Sequence, residues 1–113
     1  MHEMALAEGV LGIIEEAQRR QGFAQVCAVR LEIGALAGIE VPALLFCLEI
    51  VLTHSVARQA RIECLPAPGS GWCMDCAQTV PIATLYASCP RCGSAQVRAT
   101  AGLQMRVQDL IVE

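Results

Sequence analysis

The sequence is short of aromatic residues and of cations. Aromatics make up 4% of its 113 residues, and charged residues make up only 17%. The 8 basic residues, all arginine, are outnumbered by 11 acidic ones, and the net charge of −3 has the wrong sign for a domain that binds nucleic acid or anionic lipid. We therefore expect protein or small-ligand partners, with no nucleic acid and no membrane among them.

The sequence also lacks a long apolar run and a basic leader. No uninterrupted apolar stretch reaches the roughly 18 residues that a bilayer span requires, and the first residues, Met1 to Met4, carry no basic start of a secretion signal. A hydrophobic fraction of 55% nevertheless provides ample aliphatic surface for one core with a small annex. A small folded protein of the cytoplasm is expected.

The first segment has the period of an amphipathic helix. Apolar residues at three-to-four spacing predict a helix over 4–21, which Gly22 ends in a left-handed cap. Two oppositely charged pairs at i,i+4 spacing support this helix: Glu15 with Arg19, and Glu16 with Arg20.

The pattern then alternates between strands and a second helix. Residues 26–33 predict a strand with one solvated face, and the apolar segment after Pro42 predicts a helix that is mostly buried. A short strand is predicted over 61–65. The Pro- and Gly-rich residues 66–71 are interpreted as a domain boundary outside helix or strand.

The C-terminal segment supplies the remaining strand. Apolar and polar residues alternate from Leu103 to Gln108, and the phase then reverses at Leu110, which predicts a bulge or a strand buried on both faces. Because a two-stranded sheet is marginal in water, we expect this strand to return to the first two as a third. The chain is thus an α+β protein with a three-stranded sheet and two helices, comprising 1–66 plus 102–113, with 67–101 inserted as a second domain.

Four of the seven cysteines form two Cys-x-x-Cys pairs, twelve residues apart: Cys73 with Cys76, and Cys89 with Cys92. An odd cysteine count with close pairs is typical of metal ligands rather than of a secreted disulfide framework. Two such turns aim four thiolates at one tetrahedral ion, and zinc suits this geometry. An iron site with the same ligands and a thiol redox switch remain alternatives.

The neighbours of these pairs and the other cysteines are also informative. Gly93 follows the second pair, where a missing Cβ lets backbone amides approach a sulfur, whereas Ala77 takes the matching place after the first. Cys27, Cys47 and Cys64 lie within predicted strands and a helix, and we interpret them as small buried hydrophobic residues, not as ligands.

The N-terminus carries a second potential metal site. The α-amine of Met1, a backbone amide and the imidazole of His2, with a fourth donor from the amide or carboxylate of Glu3, form a nitrogen-rich set of the kind that Ni²⁺ or Cu²⁺ accepts. By itself this motif is weak, because a terminal histidine is usually only solvated. The other histidine, His54, is expected to pack at the end of the second helix rather than to bind a metal.

Taken in order along the chain, these motifs resemble one known family. Met1-His2-Glu3 opens the first helix, Arg30-Leu31-Glu32-Ile33-Gly34 follows, and Cys73-x-x-Cys76 precedes Ser88-Cys89-Pro90-x-Cys92-Gly93. This pattern covers essentially the full length and is similar to the HypA/HybF family of nickel metallochaperones. The departures are Met4, Ala5 and Ala77, where the family often has Leu, Ser and Gly, and none of them is a proposed donor.

The resemblance implies a function and two metal sites. Nickel (Ni²⁺) would be held by Met1, His2 and Glu3 and delivered during maturation of NiFe hydrogenase, while Cys73, Cys76, Cys89 and Cys92 would hold structural zinc (Zn²⁺). It further implies a nickel-binding α+β domain that carries a zinc ribbon over 67–101. The implied partners are the HypB GTPase, the large subunit of NiFe hydrogenase and, in some organisms, urease maturation proteins; a homodimer is compatible with it.

Two other interpretations compete with this one. In the first, the protein is a zinc-ribbon adaptor with the same fold, and its N-terminus binds no nickel. A zinc-ribbon nucleic-acid module would interleave basic and aromatic residues, yet the ribbon offers only Arg91, Arg98, Trp72 and Tyr86. No catalytic constellation can be placed on the sequence, and the chain is not expected to be an enzyme.

Overall fold

The computed structural model describes residues 2–113 as two helices and six strands. In chain order, these are α1 (Glu3–Gln21), β1 (Val26–Gly34), α2 (Val41–Val51), β2 (Arg61–Ala67), β3 (Ser70–Cys73), β4 (Gln78–Pro81), β5 (Val97–Ala101) and β6 (Met105–Val112). The strands form two three-stranded sheets, in the orders β2-β1-β6 and β4-β3-β5. The predicted α+β class, with two helices and a returning third strand, is confirmed.

Helix α1 buries one stripe and ends as predicted. Ala7, Val10 and Ile14 are fully or almost fully buried along the stripe. Gly22 has φ of 71° and donates its N–H to the carbonyl of Gln18 at 2.8 Å, which closes the last turn. One predicted charge pair differs: Glu16 accepts hydrogen bonds from both Arg19 and Arg20, so Arg19 pairs at i,i+3 and not with Glu15.

Strand β1 is the centre of the first sheet. The N–H of Ala35 donates to the carbonyl of Ala67 where β1 and β2 both end, so these two strands run parallel and α2 lies on the crossover between them. The N–H of Gly34 donates to the carbonyl of Gln104 just before β6 begins, so β6 runs antiparallel to β1. The C-terminal strand therefore completes the sheet.

The phase reversal predicted in the last strand is present in β6. Gln108 and Asp109 are both exposed, and the alternation of burial resumes in the opposite phase beyond them. Asp109 and Arg106 lie three positions apart, yet both bond to residues on the solvated face of β1, Arg30 and Glu32 respectively. Since Ile111 is 44% exposed, the structure favours a bulge over a strand buried on both faces.

Helix α2 is less buried than the sequence suggested. Leu44 and Leu48 are fully buried, but Phe46 is 63% exposed and Ile50 is 51% exposed. The prediction of a mostly buried helix is wrong because α2 packs on one side only, so the apolar residues on its other side remain in solvent.

The prediction that the proline- and glycine-rich residues 66–71 lie outside helix and strand is wrong for most of the segment. Residues 66 and 67 end β2, and residues 70 and 71 begin β3, so only Pro68 and Gly69 lie outside the strands. Pro66 is tolerated because β2 is an edge strand, where the missing N–H costs no ladder hydrogen bond.

The chain divides into two compact units. The first holds the chain up to Leu31 together with Ile39–Cys64 and Val107–Glu113, and the second holds Glu32–Gly38 and Leu65–Arg106. The second unit has a small core of its own, formed by Leu36, Cys73, Val80, Ile82 and Cys89. Neither helix, as far as residues 2–113 are described, is long and apolar enough to cross a membrane.

Candidate metal centre

The first cysteine pair lies in the turn between β3 and β4. Cys73 is the last residue of β3, and its Sγ accepts a hydrogen bond from the backbone N–H of Cys76 at 3.5 Å. The turn closes through Ala77, whose φ of 52° is the one positive value among the described non-glycine residues. The chain therefore turns back at the first cysteine pair, with the backbone of Cys76 bonded to the sulfur of Cys73, and β4 begins at Gln78.

The second pair forms a similar turn. The Sγ of Cys89 accepts the backbone N–H of Arg91 at 3.4 Å. Gly93 follows with φ of 77° and donates its N–H to the carbonyl of Cys89 at 2.8 Å. Both turns thus pass through the left-handed region directly after their second cysteine, and only one of them has a glycine there.

The two turns bring four sulfurs to one place. The Sγ atoms of Cys73, Cys76, Cys89 and Cys92 all lie within 4.8 Å of one another. The separation is 3.6 Å between Cys73 and Cys92 and 3.8 Å between Cys76 and Cys89. A tetrahedron of sulfurs about 2.3 Å from a zinc ion has edges of about 3.8 Å, so these separations fit Zn²⁺. All seven cysteines are free thiols, so no disulfide competes for this cluster.

The thiols of the cluster differ in acidity. The backbone N–H groups of Cys92 and Arg91 donate to the sulfur of Cys89 and lower its pKa to about 6. The neighbouring thiol of Cys73, together with burial, raises the pKa of Cys76 to about 12. Four sulfurs this close cannot all become thiolates unless a cation offsets their charge, which is what a divalent metal ion supplies.

Polar contacts outside the cluster join the two turns. The Oγ of Ser94 donates to the carboxylate of Asp75, and the guanidinium of Arg91 donates to the side-chain carbonyl of Gln78. Each bond connects a residue beside one cysteine pair to a residue beside the other. These contacts orient the ligating turns in the way that outer-shell hydrogen bonds orient metal ligands generally. Sequence spacing alone carried no signal for either bond.

The N-terminal residues lie at the start of α1. His2 occupies the N-cap position, is exposed and makes no side-chain capping hydrogen bond. Glu3 is 8% exposed, and its Oε2 accepts the backbone N–H of Glu40, the N-cap residue of α2, at 3.2 Å. That hydrogen bond is the main reason why the pKa of Glu3 is lowered. Met1, the third predicted nickel donor, lies outside the described residues.

The remaining cysteines and His54 stand apart from the cluster. Cys27, Cys47 and Cys64 are half-buried rather than buried, and burial raises the pKa of the Cys27 and Cys64 thiols. His54 follows the end of α2 by three residues and is exposed, so it does not pack at the helix end as expected. The edge position of β2 and the one-sided packing of α2 account for the incomplete burial of Cys64 and Cys47.

Comparison with known proteins identifies the chain. The family model described as "Hydrogenase/urease nickel incorporation, metallochaperone, hypA" matches residues 1–112. The chain belongs to the HypA family. The family resemblance inferred from the sequence motifs is thereby confirmed, and so is the expectation that the protein is not an enzyme, because HypA is a family of metallochaperones.

Curated HypA relatives match along the whole chain. A hydrogenase maturation factor HypA from Albidiferax ferrireducens is 52% identical over 113 residues, covering 100% of both chains. One from an Azoarcus species is 54% identical over 110 residues, covering 97% of this chain and 96% of the relative. The alignment with the Albidiferax relative therefore includes the N-terminal motif as well as the cysteine pairs.

Solved HypA structures share the fold. A solution structure described as the Ni metallochaperone HypA from Helicobacter pylori matches with a TM-score of 0.73 at 23% identity, covering 99% of this chain and 97% of that one. A second HypA solution structure matches with a TM-score of 0.74 at the same identity, covering 100% and 97%. At this identity the likeness establishes the α+β architecture.

Proposed function

We propose that this HypA protein binds Ni²⁺ at its N-terminus and delivers it during maturation of NiFe hydrogenase. The observation that carries the proposal is the match of a nickel-incorporation family model to residues 1–112. The matched residues include both the N-terminal motif and the four cysteines. Delivery requires a site that releases its metal, and the N-terminal donors are proposed for it, whereas the four cysteines are proposed to keep theirs.

The proposed nickel donors are Met1, His2 and Glu3. The exposure of His2 supports this role, because an imidazole in solvent can take an ion up and pass it to a partner. The fourth donor is the amide nitrogen or the carboxylate of Glu3, one oxygen of which accepts the backbone N–H of Glu40. The same hydrogen bond connects the first turn of α1 to the N-cap of α2.

The proposed role of the cysteine cluster is structural zinc. Four thiolates leave zinc no open position for a substrate, and such sites contribute folding free energy rather than chemistry. The burial of Cys73 and Cys89 in the core of the second unit supports this assignment. We assign the nickel-binding domain to 1–66 plus 102–113 and the zinc ribbon to 67–101.

The proposed partners follow from the family. They are the HypB GTPase and the large subunit of NiFe hydrogenase, with urease maturation proteins as further clients and a homodimer as one assembly state. The setting we propose is the cytoplasm.

A nickel titration of protein with an authentic, untagged N-terminus tests this function. His2→Ala removes the imidazole, and we expect it to weaken nickel binding by at least about 10–100-fold, the cost of changing even an outer-shell partner, measured by calorimetry. His54→Ala is the matched control, because His54 is the one other histidine in the sequence and is also exposed. We expect its affinity for nickel to equal that of the unsubstituted protein.

Two results would contradict the proposal. One is an unextended protein that does not bind nickel. The other is equal affinity in the His2→Ala variant, since the delivery role would then have no imidazole donor and only a zinc-stapled fold would remain.

A further inference from the structure

A pocket on the first unit has no part in either proposed metal site. It lies where the turns after α2 meet the segment before β1, and it has a volume of about 240 Å³. The residues that matter for its chemistry are Gln25, His54, Val56, Arg58 and Gln59. No acidic side chain is among its lining residues.

Two side chains in this pocket, a guanidinium and an imidazole, have no partner among residues 2–113. Five of the eight arginines bond to carboxylates, and Arg91 bonds to Gln78. Within the described chain, only Arg58 and Arg98 make no side-chain hydrogen bond or ion pair. Arg58 shares its pocket with the imidazole of His54, which is also unpaired there. The protein has a net charge of −3, so a guanidinium and an imidazole that lie in one pocket without an acidic partner are unusual in it.

Unused backbone donors lie in the same turns. The N–H groups of Ser55, Arg58 and Ala60 each bond to the carbonyl group three residues earlier in the chain. Those of His54, Val56 and Gln59 have no acceptor anywhere in residues 2–113. His54, Val56 and Gln59 all line the pocket, so an anion there would supply the acceptor that these N–H groups lack. The pocket thus combines backbone donors, a guanidinium and an imidazole.

We infer that this pocket binds a phosphate group, either as free inorganic phosphate or at the end of a nucleotide. A guanidinium recognises phosphate oxygens in pairs, and the backbone donors fit the remaining oxygens. The volume lies below the roughly 300–1,000 Å³ of pockets that enclose whole drug-sized ligands, so the phosphate group is held and any attached nucleoside remains in solvent.

One carboxylate opposes this binding. The Oε1 of Glu113 accepts a hydrogen bond from the Nε2 of Gln25 at 2.6 Å, which places a negative group beside a lining residue. Removing that charge should strengthen anion binding, whereas removing the charge of Arg58 should weaken it. The inference therefore predicts effects of opposite sign for two substitutions, one at the lining residue Arg58 and one at Glu113, which bonds to the lining residue Gln25.

The test is a titration of the full chain, with its metal content intact, by inorganic phosphate at constant ionic strength, followed by amide NMR. We expect saturable shifts at His54, Val56 and Gln59, and binding weakened about tenfold or more by Arg58→Gln. Arg98→Gln is the matched control, since it removes the other unpaired arginine, and should leave the affinity unchanged. Glu113→Gln should tighten binding. Because Arg58 and Arg98 are exposed, both variants should fold, which their amide spectra verify.

A nucleoside monophosphate and its parent nucleoside separate the two sources of phosphate. Equal affinity for inorganic phosphate and the monophosphate, with no binding of the nucleoside, supports recognition of the phosphate group in either source. Tighter binding of the monophosphate supports the nucleotide as the source. Shifts that do not saturate, equal shifts with chloride, equal losses in the Arg58 and Arg98 variants, or binding of the bare nucleoside would each overturn the inference. None of these results bears on nickel binding at the N-terminus.

Discussion

At the scale of single residues, the two turns that hold the cysteines differ at one position. Ala77 and Gly93 both have positive φ, at 52° and 77°. This region costs an L-residue about 1–2 kcal/mol, whereas exchanging Ala for Gly costs about 0.4–1 kcal/mol through the unfolded chain. We therefore expect Ala77→Gly to raise the free energy of unfolding by up to about 1 kcal/mol, measured by chemical denaturation of the metal-loaded protein.

The reverse exchange at Gly93 checks the same cause. An added Cβ at Gly93 would meet nothing within 4 Å, so Gly93→Ala should destabilise the protein through backbone conformation alone. Gly9→Ala is the control, because Gly9 is equally open but lies inside α1, where the same exchange should stabilise by about 1 kcal/mol. If the two Gly→Ala variants changed the free energy of unfolding in the same direction, the positive φ of Gly93 would not be the cause of its effect.

At the scale of elements, β1 and β6 are joined across their solvated faces by ion pairs. The Nε and Nη2 atoms of Arg30 donate to the two carboxylate oxygens of Asp109, each at 2.8 Å, and this hydrogen bonding lowers the pKa of Asp109. The stability that the pair contributes is therefore present above the unfolded pKa of about 3.9 and is lost as the pH falls through the lowered folded pKa.

Asp109→Asn should accordingly lower stability at neutral pH, and the difference from the unsubstituted protein should vanish in acid. Urea denaturation measures this difference in the free energy of unfolding. It is run between pH 2 and pH 7, from about two pH units below the usual Asp pKa to about three above it. Arg30→Gln should show the same convergence, because it removes the other half of the pair. A constant difference at every pH would exclude Asp109 as its origin.

At the scale of the whole molecule, the second unit depends on its cysteines for a core. Two of the five buried residues in that core are Cys73 and Cys89, and the rest are three aliphatic side chains. So small a core does not hold a fold by itself, whereas zinc sites of this type supply about 10 kcal/mol or more of apparent binding free energy. We expect a chelator to collapse the amide dispersion of residues 70–101 while the helical signal of α1 and α2 persists.

Substitutions give the same test without a chelator. Cys76→Ser should abolish stoichiometric zinc in elemental analysis and reproduce the chelated spectrum. Cys47→Ser is the matched control, since Cys47 lies on α2 outside the cluster, and it should keep one zinc per chain. If the Cys76→Ser variant kept its zinc and the amide dispersion of residues 70–101, the result would argue against the four-sulfur site.

Some contacts in the candidate sites could be predicted from the sequence, and others could not. The pairing of Cys73 with Cys76 and of Cys89 with Cys92 could be read from spacing, because two residues between ligands make a tight turn whatever the surrounding fold. The bond from Glu40 to Glu3 could not be predicted, since it depends on where α1 and α2 begin in space. The exposure of Phe46 was likewise missed, because an apolar pattern does not tell how many sides of a helix are covered.

The features that could be predicted from the sequence are local: the two helices, the three strands of the first sheet, the two cysteine turns and the N-terminal motif that marks the family. These follow from periodicity and short spacing, which act through neighbouring residues along the chain. The three-dimensional fold was needed to show which strand lies in the centre, that backbone N–H groups lower the pKa of the Cys89 thiol, and that His54 and Arg58 line one pocket. Strand order, solvent access and local dielectric depend on contacts between residues far apart in the chain, and no local pattern records them.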